Sequence, residues 1–495
     1  MDIFTKPLKV GTLLSGLGLE EMRQLAKKDE RTTEFGSASY STRIRSRSAK
    51  FTEVVGVEPT RSQIETILKV QEYLKDKEVI YTERNMCLSA NNQVPCRLYC
   101  TKSFARIPYM WQNLLFPPTK IENVKPLTTI DVPEWPERKV IVNVLDGVTY
   151  VLGTDYFGEV KKSFLRMAIY KVKQVGGLGL HAGSKLLRVR DVNGKLIEKG
   201  VLLFGLSGTG KTTLTCHHHF LEGEEGVTIR QDDFVLIYPD THCVGTEKGF
   251  YIKTEGLENE GQPVLYNATV APTSILENVH VEENGHVDFL NYEDVGDNGR
   301  AVVQRSEIKY TDNDIDLPHA DIMIFITRRD DSIPPVVKLT PEQGGAFFML
   351  GESIETSAGD PTKAGQSKRE VGTNPFIVGP CDDEGNYIMN ILRANPHMEC
   401  FLLNTGKIGN KEKITIRDSV TIIKNIAKGS IKWRKDDYWG YEVLADCPGV
   451  DINRLDPRNY FTPDELKAMN DKLRVERRSW LAQFPSLDPD ILKQV

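Results

Sequence analysis

The most constraining feature of this 495-residue chain is a glycine-rich segment that directly follows an apolar run. Residues 201–213 read Val-Leu-Leu-Phe-Gly-Leu-Ser-Gly-Thr-Gly-Lys-Thr-Thr and contain the complete G-x-x-x-x-G-K-[ST] pattern. The apolar run fits a buried strand, and residues 214–221 are compatible with a helix. A glycine-rich loop between a strand and a helix is a phosphate-binding arrangement. The segment therefore predicts an α/β domain that binds a nucleotide.

Each residue type in this loop has a physical role in holding phosphate. Glycines let the backbone turn so tightly that successive N–H groups point at the phosphate oxygens. Lys211 places a positive charge near the β- and γ-phosphates, and Thr212 offers a hydroxyl to Mg²⁺. The predicted nucleotide-binding residues of the loop are Gly205, Leu206, Ser207, Gly208, Thr209, Gly210, Lys211, Thr212 and Thr213.

Composition and charge exclude several other classes of function. The formal net charge is −6 and there is no polybasic block, so neither nucleic acid nor a membrane surface is expected as a partner. The first residues lack the apolar core of a signal peptide, and no run of about 18 apolar residues occurs, so we expect a cytoplasmic protein. The eight cysteines are scattered without zinc-site spacing. We expect His217, His218 and His219 to form a partly exposed helix end, since consecutive helical residues point in different directions.

Strand-like and helix-like stretches alternate along much of the chain. Residues 60–77 are compatible with a helix, and the strand-like runs are 79–81, 140–145, 201–204, 227–229, 235–238 and 322–326. This alternation predicts a mixed α/β fold with more than one domain. Residues 191–195, Asp-Val-Asn-Gly-Lys, read as a hairpin turn. We place a boundary near this turn, between an N-terminal domain of residues 1–198 and a C-terminal phosphate-loop domain of residues 199–495.

Residues 351–375 differ from their surroundings in composition. Gly, Ser, Thr, Asp and Lys dominate this segment and apolar residues are few. It fits a surface loop, and it fits equally a mobile lid that excludes water during phosphoryl transfer.

An acidic pair follows the strand-like run 227–229. A carboxylate at the end of a strand beside a phosphate loop is where such enzymes hold Mg²⁺, directly or through water. Asp232 and Asp233 face opposite ways if they lie on the strand, and so have different roles unless the strand has already ended. The alternative is a simple acidic turn.

Lysines and a histidine lie upstream of the phosphate loop. On composition alone, Lys161 and Lys162 are a solvated surface pair, and His181 is a histidine beside glycine turns. Wider sequence similarity changes this interpretation.

Several motifs together resemble the ATP-dependent phosphoenolpyruvate carboxykinases. The loop 205–214 is nearly a verbatim match to the family's phosphate loop, and similarity extends from about residue 40 to nearly the C-terminus. The similar segments are Tyr156-x-Gly-Glu-x-Lys-Lys162, His181, Asp232-Asp233, Tyr251-Ile-Lys253-Thr, Leu276-Glu-Asn-Val279, Pro334–Gln343, Leu403–Gly406, Lys413–Ile416, Pro448–Asp451 and Leu455–Asn459. The resemblance implies an N-terminal domain and a C-terminal mononucleotide-binding domain.

The chemistry that the resemblance implies is the conversion of oxaloacetate and ATP to phosphoenolpyruvate, ADP and CO₂, a step of gluconeogenesis or anaplerosis. Decarboxylation leaves an enolate, which needs positive charge where its own charge develops. The resemblance implies that Lys162, His181 and Asp233 bind Mn²⁺. It also implies catalytic roles for Lys162, Lys211, Arg300 and Asp232, with Mg²⁺ on Thr212 and Asp232 holding the metal's waters.

Contacts with the substrate and with the nucleotide base are implied in the same way. Oxaloacetate has two carboxylates, so cationic clamps are expected, and Arg300 and Tyr156 fall at matching positions. A substrate arginine of the family matches either Arg47 or Arg45, with a slight preference for Arg47. The remaining nucleotide contacts are implied for Lys253, Lys413, Ile414 and Ser419.

The chain also departs from the family pattern. His181-Ala-Gly-Ser-Lys185 replaces His-Cys-Ser-Ala-Asn, and Ser367–Phe376 replaces the threonine-rich segment after the lid. One alternative is therefore a kinase that phosphorylates another small acceptor without decarboxylation. Another is a nucleotide-sensing protein with little turnover, although a Lys/His/Asp metal set is not needed for binding alone.

Overall fold

A computed structural model describes residues 3–44, 48–206, 208–291, 295, 298–354, 366–409 and 411–495. These residues form a mixed α/β structure of two compact units. Unit 1 comprises residues 1–171 and 246–309, and unit 2 comprises residues 172–245 and 310–495. No helix in these ranges is both long enough and apolar enough to cross a membrane.

The helices and strands follow in chain order. The first segment contains β1 (Thr12–Leu14), α1 (Leu19–Ala26), β2 (Arg31–Thr32), β3 (Ala38–Tyr40), β4 (Thr52–Val54), α2 (Arg61–Leu74), β5 (Glu78–Met86), β6 (Val94–Thr101), α3 (Arg106–Leu114), β7 (Leu127–Val132), β8 (Lys139–Asn143), β9 (Val148–Leu152) and α4 (Phe157–Lys173). The second contains β10 (Leu178–Leu180), β11 (Ala182–Arg190), β12 (Leu196–Gly205), α5 (Lys211–Cys216), β13 (Gly226–Gln231), β14 (Val235–Ile237) and β15 (Cys243–Gly245).

The third segment contains β16 (Phe250–Lys253), α6 (Pro263–Thr269), β17 (Ile275–Glu277), β18 (His280–Val281), β19 (Val287–Asp288) and β20 (Arg300–Val303). The fourth contains β21 (Ile322–Thr327), β22 (Val336–Leu339), α7 (Pro341–Leu350), β23 (Glu352–Ile354), β24 (Ser367–Arg369), α8 (Asp382–Ala394), β25 (Glu399–Asn404), β26 (Lys407–Ile408), β27 (Glu412–Lys413), α9 (Ile416–Lys428), β28 (Lys432–Lys435), β29 (Glu442–Asp446), α10 (Ile452–Leu455), α11 (Pro463–Leu481) and α12 (Pro489–Leu492).

Helix α2 shows how local sequence sets an element of unit 1. Thr60 accepts a hydrogen bond from the Gln63 backbone N–H, and the Gln63 side chain accepts from the Thr60 N–H, so a capping box begins the helix. Ile67, Val70 and Leu74 recur at helical spacing and are buried. The helix predicted within residues 60–77 is confirmed.

Unit 1 contains a seven-stranded sheet of order β1-β5-β6-β7-β9-β8-β4 and a five-stranded sheet of order β16-β20-β17-β3-β2. In the second sheet, strand β17 from residues 246–309 pairs in parallel with β3 near the N-terminus. The division of the chain therefore differs from the single boundary expected at residues 198 and 199, which falls inside β12 of unit 2. The physical reason is that residues 246–309 pair with strands of the N-terminal segment.

Unit 2 is built on an eight-stranded sheet of order β13-β11-β12-β21-β25-β22-β29-β28. Its central strands β12, β21 and β25 are parallel neighbours, and residues 201–204 are fully buried, as expected for a strand covered on both faces. The predicted hairpin turn is confirmed: Asp191 accepts backbone N–H bonds from Asn193 and Lys195, and Gly194 takes a positive φ of 79°. This hairpin joins β11 to β12 in antiparallel register.

A buried charge network holds the hairpin of β23 and β24 against helix α11. Arg477 of α11 donates to Glu352 at 3.1 Å, and both side chains are almost completely buried. Arg369 lies 3.6 Å from the same carboxylate. Burial opposes the charge of Glu352, but the arginines outweigh it and lower the pKa of Glu352 to about 2. The described ends of the candidate lid segment 351–375 are thus a hairpin fixed by a buried carboxylate, while residues 355–365 lie outside the described residues.

We expect Glu352→Gln to lower the free energy of unfolding by about 3–5 kcal/mol at neutral pH, because Arg477 loses its buried counter-charge. The folded-state pKa of Glu352 lies below the ordinary 4.5. Its contribution is therefore complete above about pH 4.5 and is lost as the pH falls towards 2. Urea unfolding of both proteins between pH 3 and 7 measures this difference, which should shrink with acidification.

Glu399→Gln is the matched control for this measurement. Glu399 pairs with Lys338 at 2.6 Å, but both side chains are partly exposed, so its loss should cost less than about 1 kcal/mol. Equal losses for the two variants would contradict the assignment of Glu352 as a buried anchor.

Candidate active site

The phosphate loop lies at the carboxyl end of β12 and leads into helix α5. Gly208 and Gly210 have positive φ values of 85° and 95°, which explains the need for glycine at both positions. Neighbouring strand ends hold the loop: Arg328 donates to the Gly208 carbonyl at 3.0 Å, and Thr405 donates to the Thr209 carbonyl at 2.7 Å. Ser207 lies outside the described residues. The strand, loop and helix order predicted from the sequence is confirmed.

Helix α5 is shorter than the sequence suggested. It ends at Cys216, where residues up to 221 were expected to continue it, and His219 and Phe220 take positive φ values of 57° and 53°. The expectation of a partly exposed helix end at His217–His219 is therefore wrong. The tract follows the helix, and His219 is fully buried.

His181, Asp233 and Lys211 meet in unit 2. His181 Nε2 lies 3.0 Å from Asp233 Oδ1, and Lys211 Nζ lies 3.5 Å from the same oxygen. His181 lies between β10 and β11, and Asp233 follows β13, which has ended at Gln231. Asp232 is buried, while Asp233 is partly exposed. Because the strand has ended, the two carboxylates are not constrained to opposite faces.

The neutral tautomer of His181 favours a cation beside its ring. Its Nδ1 lies 2.7 Å from the Thr373 carbonyl, so Nδ1–H donates and the lone pair of a neutral ring is at Nε2. Burial, and then the charge of Lys211, lower the pKa of His181 although the negative charge of Asp233 acts to raise it. A lone pair and a carboxylate oxygen 3.0 Å apart need positive charge near them. This donor set fits a divalent metal ion.

A second group of predicted site residues lies around the start of α4 in unit 1. Lys162 Nζ lies 3.3 Å from Glu159 and 5.5 Å from the centre of the Tyr156 ring. Lys161 is buried and pairs with Glu247 at 3.2 Å. The view of both lysines as a solvated surface pair is therefore wrong for Lys161, whose charge is held by a buried carboxylate.

Arg300 begins β20 and lies beside an aromatic residue of the same unit. Its guanidinium is 5.9 Å from the Tyr251 ring centre and donates to the Gly299 carbonyl. Tyr156 Oη is 3.3 Å from Asn298 Oδ1. Lys253, opposite Arg300 in the β16–β20 register, pairs with Glu255 at 2.6 Å.

The predicted base contacts lie around the start of α9 in unit 2. Lys413 is exposed, whereas Ile414 and Ser419 are buried. Thr415 caps the helix by accepting from the Asp418 N–H, and Ser419 donates to the Thr415 carbonyl at 3.2 Å. The candidate substrate arginines Arg45 and Arg47 lie outside the described residues.

Comparison with known proteins identifies the family of this chain. A sequence profile described as phosphoenolpyruvate carboxykinase matches residues 18–453. The chain belongs to the phosphoenolpyruvate carboxykinase family. It is 35% identical over 390 residues to the phosphoenolpyruvate carboxykinase (ATP) of Aeropyrum pernix, covering 78% of this chain and 77% of that protein. It is 28% identical over 387 residues to the enzyme of the same name from Parvibaculum lavamentivorans, covering 71% and 67%.

The structure also shows supporting residues that sequence reasoning missed. Arg106 is buried inside unit 1 and pairs with Asp155 and with Glu277 at 3.0 Å each. Glu277 also accepts from the Phe157 N–H and from Tyr251 Oη. The network thus joins the start of α4 to the strands beside Arg300. Glu277 lies in the motif at 276–279, but no pattern in the sequence indicates that Arg106 is its partner.

The close contact between β11 and α5 gives a test of this phosphate loop. A Cβ added to Gly183 would lie 2.1 Å from Thr215 Oγ1 and 2.9 Å from Thr215 Cβ. Gly183→Ala should therefore displace α5 and weaken binding of Mg-ATP by about tenfold or more, as measured by calorimetry.

Gly226→Ala is the control, because a Cβ there meets no atom within 4 Å. It should bind Mg-ATP like the unmodified enzyme. Unchanged affinity in a folded Gly183→Ala protein would show that this contact does not set the loop position.

Proposed function

We propose that this chain catalyses the ATP-dependent conversion of oxaloacetate to phosphoenolpyruvate, ADP and CO₂. Membership of the carboxykinase family supports this reaction. The observation that carries the proposal is the meeting of His181, Asp233 and Lys211 beside the phosphate loop. These three side chains provide a metal-binding donor pair and a phosphate-binding cation in one place.

The reaction balances without a further reactant. The C3–C4 bond of oxaloacetate breaks, CO₂ leaves, and the electron pair moves onto the C2 carbonyl oxygen as an enolate. That oxygen forms a bond to the γ-phosphorus of ATP as the bond to the β,γ-bridging oxygen breaks, which releases ADP. Bound Mn²⁺ and Mg²⁺ supply positive charge where the enolate and the transferred phosphoryl group are negative.

We assign the metal and phosphate residues as follows. His181, Asp233 and Lys162 hold Mn²⁺. Thr212 binds Mg²⁺, and Asp232 orients its waters. Lys211 neutralises charge on the transferred phosphoryl group.

We assign the substrate side to residues of unit 1. Arg300 binds a carboxylate of oxaloacetate and stabilises charge in phosphoryl transfer. Tyr156 contacts the substrate or the departing CO₂, and Arg47 or Arg45 binds the second carboxylate. Lys253, Lys413, Ile414 and Ser419 complete the nucleotide contacts together with the loop residues. Residues 351–375 act as the lid.

Purified enzyme with oxaloacetate, ATP and Mn²⁺ should form phosphoenolpyruvate, ADP and CO₂ in equal amounts. A coupled assay for phosphoenolpyruvate and ADP, with radiolabelled oxaloacetate for CO₂, measures all three. ADP formation on another acceptor without CO₂ would instead support the kinase without decarboxylation. ATP binding with no turnover on oxaloacetate would contradict the proposal.

Lys162→Met should reduce kcat by about a thousandfold or more while the dissociation constant for Mg-ATP stays within about twofold. The substitution removes a metal ligand and leaves the phosphate loop intact. Lys171→Met is the control on the same helix, since Lys171 donates to the Lys125 carbonyl instead. Retained activity of Lys162→Met would remove Lys162 from the metal site.

A further inference from the structure

Two fully buried polar side chains lie behind the phosphate loop, and the reaction does not use them. Lys185 on β11 and His219 after α5 are both completely inaccessible to solvent. Lys185 Nζ lies 2.5 Å from the Leu214 carbonyl oxygen and 2.5 Å from His219 Nε2. A lysine buried this deeply is uncommon, because removing its charge from water is costly.

The direction of each hydrogen bond follows from the acceptors. His219 Nδ1 lies 2.9 Å from the Val420 carbonyl, so Nδ1–H donates and Nε2 is left as an acceptor. Burial, followed by the nearby Lys185, keeps the pKa of His219 well below its usual range, so the ring is neutral. Lys185 therefore donates both to the Leu214 carbonyl and to His219. Burial also lowers the pKa of Lys185 to about 7.

The three groups that this pair connects belong to three parts of the nucleotide site. Lys185 lies on β11, which follows His181 directly. Leu214 lies in α5, the helix that begins with Lys211. Val420 lies in α9, next to the candidate base contact Ser419. One continuous chain of hydrogen bonds thus runs from the phosphate helix, through Lys185 on the metal-side strand and then His219, to the helix at the base end.

The pair is poorly explained as a source of stability. No carboxylate in the described part of the chain pairs with Lys185, so the cost of burial is not offset by an ion pair. The ammonium does face the C-terminal end of α5, where a positive charge is favourable.

We propose that Lys185 and His219 are positioning residues that hold α5 and α9 at a fixed spacing, so that one ATP molecule reaches the phosphate loop and the base contacts together. This inference rests on the proposed use of ATP at this loop. Neither residue touches the nucleotide. They therefore affect the binding affinity of ligands that span both ends of the site, and not that of ligands that occupy one end.

The test compares ATP with inorganic tripolyphosphate, which occupies the phosphate end only. In Lys185→Met, the dissociation constant for Mg-ATP should rise about ten- to a hundredfold, while that for tripolyphosphate changes by less than about threefold. KM for ATP should rise with it, and KM for oxaloacetate should stay unchanged. Calorimetry and initial-rate kinetics measure these quantities, and irreversibly misfolded enzyme would lower the number of binding sites without altering the constants.

Lys173→Met is the matched control for removing a buried lysine. Lys173 pairs with Glu384 at 2.9 Å and donates hydrogen bonds to the Val378 and Pro380 carbonyls. None of these partners lies in α5 or α9. It should lose stability but keep its affinity for Mg-ATP. Comparable weakening of ATP binding in Lys173→Met would overturn the inference.

Two further variants keep the test decisive if Lys185→Met folds poorly. Lys185→Asn introduces the family's residue and should show the same selective loss of ATP affinity. Lys185→Met combined with His219→Asn should be no weaker for ATP than Lys185→Met alone, because the two residues act as one unit. Losses of ATP affinity that add up in the double variant would overturn the coupled role of Lys185 and His219.

The outcomes separate this inference from the proposed function. If the unmodified enzyme fails to bind Mg-ATP, the proposed function fails and the inference fails with it. If the unmodified enzyme binds Mg-ATP and the folded Lys185 variants bind it equally well, only the inference fails. Equal weakening of ATP and tripolyphosphate would overturn the spacing role while leaving the proposed function intact.

Discussion

The parallel pairing of β12 with β21 and of β21 with β25 is the constraint on which unit 2 depends. Gly205 lies opposite Ile326, and Thr327 lies opposite Asn404, so the three strands end at one edge of the sheet. Parallel strands present their carboxyl ends together, and ligands bind in open α/β sheets at that edge. The bonds from Arg328 and Thr405 to the loop carbonyls follow directly from this register. A shift of one residue in any of the three strands would separate the loop from its supports.

Buried carboxylates fix the positive charges of unit 1. Glu247 holds Lys161, while Asp155 and Glu277 hold Arg106. Removing one member of such a pair leaves an uncompensated charge in the interior. Burial raises the pKa of Glu277 against the opposing effect of Arg106, which shows how closely the two effects compete. Glu277 also accepts a hydrogen bond from the Phe157 N–H, so this buried network fixes the start of α4, the helix that carries Lys162.

Local patterns predicted much of this structure, and long-range pairing accounts for most of what they missed. The phosphate loop, the turn at 191–195 and helix α2 each depend on neighbouring residues, so the sequence was sufficient for them. The domain boundary depended on β17 pairing with β3, which no local pattern indicates. His219, which is buried after the early end of α5, accepts a hydrogen bond from Lys185, 34 residues earlier in the chain. The orientation of His181 by Thr373 uses a backbone carbonyl, which every residue type has, so no residue signal marks it.

The discontinuity of unit 1 has a consequence for how the chain reaches this structure. Ala38 pairs with Ile275, so the five-stranded sheet cannot close until most of the chain has been synthesised. Pairings between such distant residues raise the contact order, which slows folding. During that interval β3 presents unpaired N–H and C=O groups to other chains, a known route to aggregation. Synthesis rate and chaperone supply should therefore influence the yield of this protein more than the stability of its finished fold does.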